Sequence, residues 1–127
     1  MTNLPLKGIR IVDSTYVVAL PYAASILADL GAEVIKVEGP THTEPIRGGG
    51  LAGSFFDNDP GSSPWDRATL FHSVNHGKKS LTLDLSQVEG RESLKELLRV
   101  SDIFMENFTP RVTRGWGLDY PNVKRIK

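Results

Sequence analysis

Three carboxylates stand where acid–base chemistry or a ligand contact could occur. Asp13, Asp84 and Glu106 each follow a short run rich in apolar residues. A carboxylate at the end of a strand is more often a turn or helix-cap residue than a proton-transfer group. We therefore assign none of the three to catalysis, and we expect Asp84 to be the one nearest a cofactor.

The histidines have a spacing that could suit a metal. His72 and His76 are four residues apart, as two ligands on one helix face would be. The remaining histidine, His42, lies in an irregular segment, so a third ligand is not evident. The chain has no cysteine, which excludes disulfides and thiolate zinc sites. We predict no metal site and expect these side chains to be solvated or packed.

Basic side chains offer a second kind of chemistry, the binding of phosphate. Lys78 and Lys79 precede a predicted strand, and ammonium groups pair well with phosphate oxygens. Arg111 and Arg114 are further candidates. The alternative for the lysines is an ordinary basic turn.

The elements that must position these residues alternate along the chain. Strands are predicted from β-branched and apolar runs at 9–13, 33–38, 80–84 and 102–106. Apolar residues at helical spacing predict helices from Pro21 to a stop at Gly31 and over 89–100. Ser86 and Glu89 have the spacing of a capping box for the second of these helices. Thr109 and Pro110 predict the start of another helix.

This alternation is typical of an α/β fold with a parallel sheet and flanking helices. Right-handed crossovers make the predicted winding Rossmann-like. Ligands in such sheets bind beyond the carboxyl ends of the strands. Those ends are predicted at 13–21, 38–40, 84–86 and 106–110.

One long irregular connection, residues 39–79, interrupts the pattern. It is rich in Gly, Pro, Ser and Asp, and connections of this length usually act as lids or binding loops or are disordered. Its aromatic residues indicate that part of it packs, and we predict a short helix around 69–74. Trp65 in this connection, and Trp116 later in the chain, could stack on a purine, although large aromatics more often pack in a core or an interface.

The bulk composition excludes several classes of protein. The 15 basic and 15 acidic residues give a formal net charge of zero, so neither nucleic acid nor an acidic membrane surface is an expected partner. No secretory signal or membrane span is recognisable in the sequence. We predict a single cytoplasmic domain over residues 1–127.

Five collinear segments together resemble the class III CoA-transferases, the CaiB/BaiF group that includes formyl-CoA transferase and α-methylacyl-CoA racemase. The segments are 6–13 (LKGIRIVD), 27–38 (LADLGAEVIKVE), 77–85 (GKKSLTLDL), 106–110 (ENFTP) and 116–120 (WGLDY). The resemblance covers essentially the whole chain. It implies an N-terminal portion of the family's large domain, with a sheet that is incomplete relative to that domain.

The resemblance implies contacts with coenzyme A at three strand ends. The implied cofactor-binding residues are Val18, Ala19, Leu83, Asp84, Leu85, Ser86, Asn107, Phe108 and Thr109. With the resemblance we also favour a phosphate contact at Lys78 and Lys79. No metal, flavin or nicotinamide is implied.

Three positions depart from the family pattern. Gly39 and Gly115 stand where many relatives have basic residues that contact the nucleotide, and Leu20 replaces a glycine in the first loop. In relatives an aspartate further along the chain attacks the acyl-CoA thioester and forms an anhydride, whereas the racemases use a His and Asp pair. The chain ends before either, so we name no catalytic residue and expect no turnover from it alone.

Two other functions stay open at this point. An NAD-binding Rossmann domain would fit the strand–helix–strand start and Glu38, but residues 14–21 contain no glycine for the pyrophosphate turn. A non-enzymatic remnant that binds CoA, or that only pairs with other chains, is the second alternative. Because a partial sheet exposes a strand edge or an apolar face, we expect a homodimer or a larger assembly.

Overall fold

The computed structural model describes residues 3–48 and 54–127. Its strands are β1 (Arg10–Asp13), β2 (Glu33–Glu38), β3 (Lys79–Thr82) and β4 (Ile103–Met105). Its α-helices are α1 (Ala19–Asp29), α2 (Thr69–Asn75), α3 (Val88–Arg99), α4 (Pro110–Trp116) and α5 (Tyr120–Val123). None of the helices within these described ranges has both the length and the apolar character needed to cross a lipid bilayer.

The strands form one parallel sheet in the order β3-β2-β1-β4. This is the order of the first four strands in doubly wound sheets. Every crossover carries a helix, so both faces of the sheet are covered. The α/β fold with a parallel sheet and flanking helices, predicted from the sequence, is confirmed.

The centre of the sheet separates two apolar layers. Successive strand residues point to opposite faces, so Ile11 packs towards Ala24 of α1, whereas Val12 packs with Leu94 and Leu98 of α3. All five side chains are buried. This alternation holds α1 on one face and α3 on the other, and it fixes where the connecting loops emerge.

The start of α3 differs from the sequence-based prediction. The predicted capping box is wrong, because the N-cap is Gln87 and it makes no side-chain capping bond. The hydroxyl of Ser86 instead donates to Asp84 Oδ1 at 2.6 Å. Asp84 therefore organises the turn after β3, from a position two residues before Ser86.

The connection between β2 and β3 is partly ordered by its own small core. Ile46, Ala68, Phe71 and Val74 are buried together, apart from the two layers of the sheet. Helix α2 confirms the short helix predicted around 69–74. Residues 49–53 of this connection lie outside the described residues.

On the face of the sheet that α1 covers, charged side chains take the place of apolar ones near the carboxyl ends of β1 and β2. We call them the buried charge network: Asp13, Lys36, Glu38, Glu44, Arg47 and Lys78. They form three ion pairs, Lys78 with Asp13 at 2.7 Å, Lys36 with Glu44 at 3.2 Å and Arg47 with Glu38 at 2.7 Å. Because buried charges are tolerated only when they are paired and hydrogen-bonded, this network ties the long connection to the sheet.

Candidate functional site

A cavity of about 400 Å³ opens at the carboxyl ends of the strands, where the fold predicts a ligand. It is lined by Tyr16, Val37, Gly39, His42, Thr43, Pro45, Leu83, Asp84, Leu85, Ser86, Phe108 and Trp116. Apart from Val37 in β2, these residues lie in the segments that follow the four strands. The cavity therefore exists only because the parallel sheet brings the four strand ends to one edge.

One wall of the cavity is aromatic. The rings of Tyr16 and Phe108 have centroids 5.6 Å apart, and those of Phe108 and Trp116 are 5.2 Å apart and close to perpendicular. Both separations lie in the range preferred by aromatic pairs. The wall is thus a connected set of rings from the β1–α1 loop, the loop after β4 and the end of α4.

The side chain of Asn107 fixes Tyr16 from the β4 side. Its Oδ1 accepts a hydrogen bond from the Tyr16 amide, and its Nδ2 donates to the Tyr16 carbonyl, both at 2.9 Å. The Tyr16 hydroxyl donates to the carbonyl of His42 at 3.2 Å. Burial, followed by the nearby Glu44 carboxylate, raises the pKa of Tyr16, so the phenol stays protonated and keeps this donor.

The same loop is held from the opposite side by the buried charge network. Val17 has a φ of 72°, which is costly for a β-branched residue. Its amide donates to Glu44 Oε1 at 2.7 Å, and Glu44 Oε2 accepts from Lys36 Nζ. Lys36 also donates to the carbonyl of Thr15. Together these hydrogen bonds fix the conformation of the β1–α1 loop and keep Val17 in its strained conformation.

Asp84 supplies a carboxylate to the cavity wall. Its Oδ1 accepts from the amide and the hydroxyl of Ser86, and its Oδ2 accepts from the Thr41 hydroxyl at 3.3 Å. The bonds from Ser86 are the main cause that lowers the pKa of Asp84 below its ordinary value. The carboxylate is therefore ionised at neutral pH, and the described lining residues include neither lysine nor arginine.

The structure brings together part of the residue set that the sequence predicted. Five of those residues line the cavity: Leu83, Asp84, Leu85, Ser86 and Phe108. Asn107 is not a lining residue, but its side chain holds the backbone of the lining residue Tyr16 by two hydrogen bonds. Val18 and Thr109 are the N-caps of α1 and α4, Ala19 is the first residue of α1, and these three do not line the cavity.

The basic pair lies away from this cavity, so the phosphate contact expected at Lys78 and Lys79 stays a prediction. The Lys78 side chain is 2% exposed, and its Nζ donates to Asp13 Oδ2, the Pro21 carbonyl and Asn75 Oδ1 at 2.7–2.8 Å. Lys79 starts β3, at the end of the sheet opposite the cavity, and pairs with Glu33. Tertiary packing gives the Lys78 side chain a structural role.

The two spaced histidines point to different partners. His72 Nε2 lies 2.7 Å from the Asp66 carbonyl, whereas His76 Nε2 lies 3.0 Å from Asp29 Oδ2. Across residues 3–48 and 54–127 no group of three His, Asp or Glu side chains is placed to hold a metal ion. Trp65 is about half exposed and is not a lining residue of the cavity, in contrast to Trp116.

Sequence reasoning missed several lining residues. Tyr16 lies within the predicted strand end 13–21, so an aromatic residue in that loop was the available signal. His42, Thr43 and Pro45 come from the irregular connection and carry no periodicity that could place them. They reach the cavity because the buried charge network and the Tyr16 hydroxyl draw this segment over the ends of β1 and β2.

Known proteins share both the sequence and the fold of this chain. Succinyl-CoA–L-malate CoA-transferase alpha subunit from Chloroflexus aurantiacus is 43% identical over 94% of this chain and 26% of its own length. Human succinyl-CoA:glutarate CoA-transferase is 38% identical over 99% of this chain and 27% of its own length. A crystal structure of a CaiB/BaiF family protein from Brucella suis superposes with a TM-score of 0.82 at 35% identity, over 99% of this chain and 32% of that one.

The chain thus spans about a quarter to a third of the length of these relatives. The family model described as CoA-transferase family III matches residues 6–127. The match includes every strand of the sheet and every residue that lines the cavity. By sequence and by fold, the chain belongs to CoA-transferase family III.

Proposed function

We propose that this chain is the part of a family III CoA-transferase that binds coenzyme A, and that the cavity receives its adenine ring. The aromatic wall carries the proposal. A purine has two flat apolar faces, and stacking on an aromatic side chain contributes about 1–3 kcal/mol per base. Trp116 and Phe108 offer such faces, and Leu83 and Leu85 offer apolar contact nearby.

The relatives suggest the chemistry to which this binding would contribute. Two of them are named for the transfer of CoA from succinyl-CoA to L-malate or to glutarate. We propose an acyl-CoA thioester and a carboxylic acid as the substrates of the complete reaction. Residues 1–127 would form one part of a larger domain and supply nucleotide binding, so we assign no catalytic residue to them and expect no CoA exchange from the purified chain.

Calorimetric titration of the purified chain with CoA, and with NAD in parallel, tests this proposal. Heat with CoA alone supports the family's ligand, whereas tighter binding of NAD would favour a dinucleotide-binding domain instead. Trp116→Leu should weaken CoA binding by about tenfold or more, which is the lower part of the stacking range. Trp65→Leu is the matched control, because its ring is exposed and does not line the cavity. Equal losses in both variants would contradict an adenine site at this wall.

We also propose that the chain self-associates, because one face of α1 carries an exposed apolar stripe. Val18, Tyr22, Ile26 and Leu30 follow one another at intervals of four residues, and each is 38–51% exposed. Residues with this spacing share one helix face, and exposed apolar patches mark interaction surfaces. Light scattering over a range of concentrations should give a mass above the monomer, and Ile26→Lys should lower it. A monomer mass at every concentration would overturn this proposal.

The cytoplasmic location expected from the sequence stays a prediction.

A further inference from the structure

The charge of the cavity sets it apart from a site built for a phosphorylated ribose. Among the described residues that line it, Asp84 is the carboxylate and His42 is the one basic side chain. His42 Nδ1 lies 3.1 Å from the Thr41 hydroxyl, which also bonds Asp84. Arg111 and Arg114 are exposed on α4 and are not lining residues. A ligand group placed beside the Leu83–Ser86 wall therefore meets a negative charge.

We infer that the cavity accepts an adenosine with free 2′ and 3′ hydroxyls, so that the 3′-phosphate of CoA adds no affinity. This inference rests on the proposed function, since it names the form of the nucleotide that the same site prefers. Dephospho-CoA, which lacks only that phosphate, is the ligand that the cavity fits best.

The repulsive half of the argument concerns the phosphate. A phosphate monoester carries a charge of about −1.5 to −2 at neutral pH and is stabilised by arginine or lysine. Asp84 is held in its ionised form by two donors from Ser86. A phosphate beside this carboxylate would meet a like charge, and the described lining residues include neither lysine nor arginine to offset it. We expect it to remain in solvent.

The attractive half concerns the ribose. Among the described residues, Asp84 Oδ1 has two donors at 2.9 and 2.6 Å, whereas Oδ2 has one, the Thr41 hydroxyl at the longer distance of 3.3 Å. Oδ2 thus has acceptor capacity left for a hydroxyl donor. A carboxylate that follows a strand of a parallel sheet is the group that binds unphosphorylated ribose in dinucleotide sites, where an arginine accommodates the phosphorylated form.

The experiment compares CoA with dephospho-CoA by calorimetric titration of the purified chain, at low and at high salt. Dephospho-CoA should bind as tightly as CoA or more tightly. Added salt should reduce any difference in affinity between the two ligands, because it screens the repulsion between the 3′-phosphate and the Asp84 carboxylate. Binding of CoA that is more than about tenfold tighter would overturn the inference while leaving the proposed function intact. If neither ligand binds, the inference and the proposed function fall together.

A substitution at Gly39 tests the charge directly. A β-carbon at this position would lie 3.7 Å from the Leu83 carbonyl oxygen, which is ordinary van der Waals contact, so it fits without displacing the wall. Gly39→Lys should make CoA the preferred ligand by about tenfold and leave dephospho-CoA within about threefold of its original affinity. Gly48→Lys adds the same charge at a residue that is not itself a lining residue, with extended backbone and no described atom within 4 Å of a new β-carbon, and should leave the preference unchanged. An unchanged preference in Gly39→Lys would count against the inference.

Asp84→Asn provides the complementary variant. It removes the charge and keeps an oxygen that can accept from Ser86. We expect tighter binding of CoA together with weaker binding of dephospho-CoA, and circular dichroism checks that the variant is folded. Parallel loss of both ligands in a folded variant would show that Asp84 does not discriminate between them, which would overturn the inference.

Discussion

Replacement of Lys78 by methionine should destabilise the fold far more than its position in a lysine pair suggests. The ammonium group donates to a carboxylate, a carbonyl and an amide oxygen within 2.8 Å, and Asp13, its charged partner, is completely buried. In Lys78→Met the Asp13 carboxylate keeps donors from Thr15 on Oδ1, but Oδ2 loses the ammonium. Removal of one partner from a buried ion pair typically costs about 3–5 kcal/mol.

Urea denaturation followed by circular dichroism measures this loss. With a denaturant slope of about 1–3 kcal/mol per M, the midpoint should fall by about 2 M. Lys79→Met is the matched control, because its side chain is 70% exposed and a surface pair such as that with Glu33 contributes about 0–1 kcal/mol. The two substitutions make the same chemical change at adjacent positions, so the difference between them isolates burial.

Equal and small losses in the two variants would refute this reasoning. They would mean that water reaches Lys78 and that the pair with Asp13 is not closed in solution. If Lys78→Met does not fold, a double-mutant cycle retains the test. Asp13→Asn combined with Lys78→Met should lose less stability than the sum of the single losses, because the uncompensated charge is then gone. Strict additivity would contradict the proposed coupling.

The remaining predictions concern two glycines, a buried carboxyl and the residue that holds the first loop. Gly90→Ala should destabilise the fold by about 1–3 kcal/mol, because the new β-carbon would overlap a backbone carbonyl in the loop after β3. In Gly115→Ala the new β-carbon meets nothing within 4 Å, and because position 115 lies inside α4 the substitution should stabilise the fold by about 0.5–1 kcal/mol. The urea midpoint should therefore fall in Gly90→Ala and rise in Gly115→Ala, and a shift of both midpoints in the same direction would contradict this pair of predictions. Burial raises the pKa of Glu44, so its contribution to the free energy of unfolding is present below its ordinary pKa and is lost as pH rises through the folded pKa. Urea titrations from acid to neutral pH should therefore show wild type losing stability relative to Glu44→Gln, and a flat difference would count against this sign. Asn107→Ala removes both bonds to the Tyr16 backbone and should cost about 1–3 kcal/mol and weaken CoA binding, whereas Asn107→Asp, which keeps the acceptor, should lose less in thermal unfolding and titration.

Periodicity predicted the framework of the sheet because each element carries its own signal. The predicted strand at 33–38 has the bounds observed for β2, since β-branched residues and the Gly39–Pro40 stop mark them locally. The capping box failed because two local interactions compete for Ser86, and its bond to Asp84 prevails. Local spacing alone does not rank such competitors.

The candidate site was less predictable, because most of its geometry is long-range. The sequence placed ligand contacts at strand ends, and Leu83 and Phe108 do line the cavity. It could not place His42, which reaches the cavity through the Tyr16 hydroxyl 26 residues away. The sequence also gave no sign that the Lys78 side chain is buried, because a lysine is expected to be exposed unless the acceptors that pair with its ammonium group are known.

The strand order has a consequence for how the chain acquires its site during synthesis. β1 pairs with β2 soon after both leave the ribosome, but its other neighbour, β4, is made about 90 residues later, as the bond from the Arg10 amide to Asp102 shows. Closing a loop of that length belongs to the slow steps of folding. Until β4 docks, Ile11 and Val12 stand at an open edge that another chain could pair with. Phe108 completes the aromatic wall only after that step, so the proposed nucleotide site is complete only once this edge is closed.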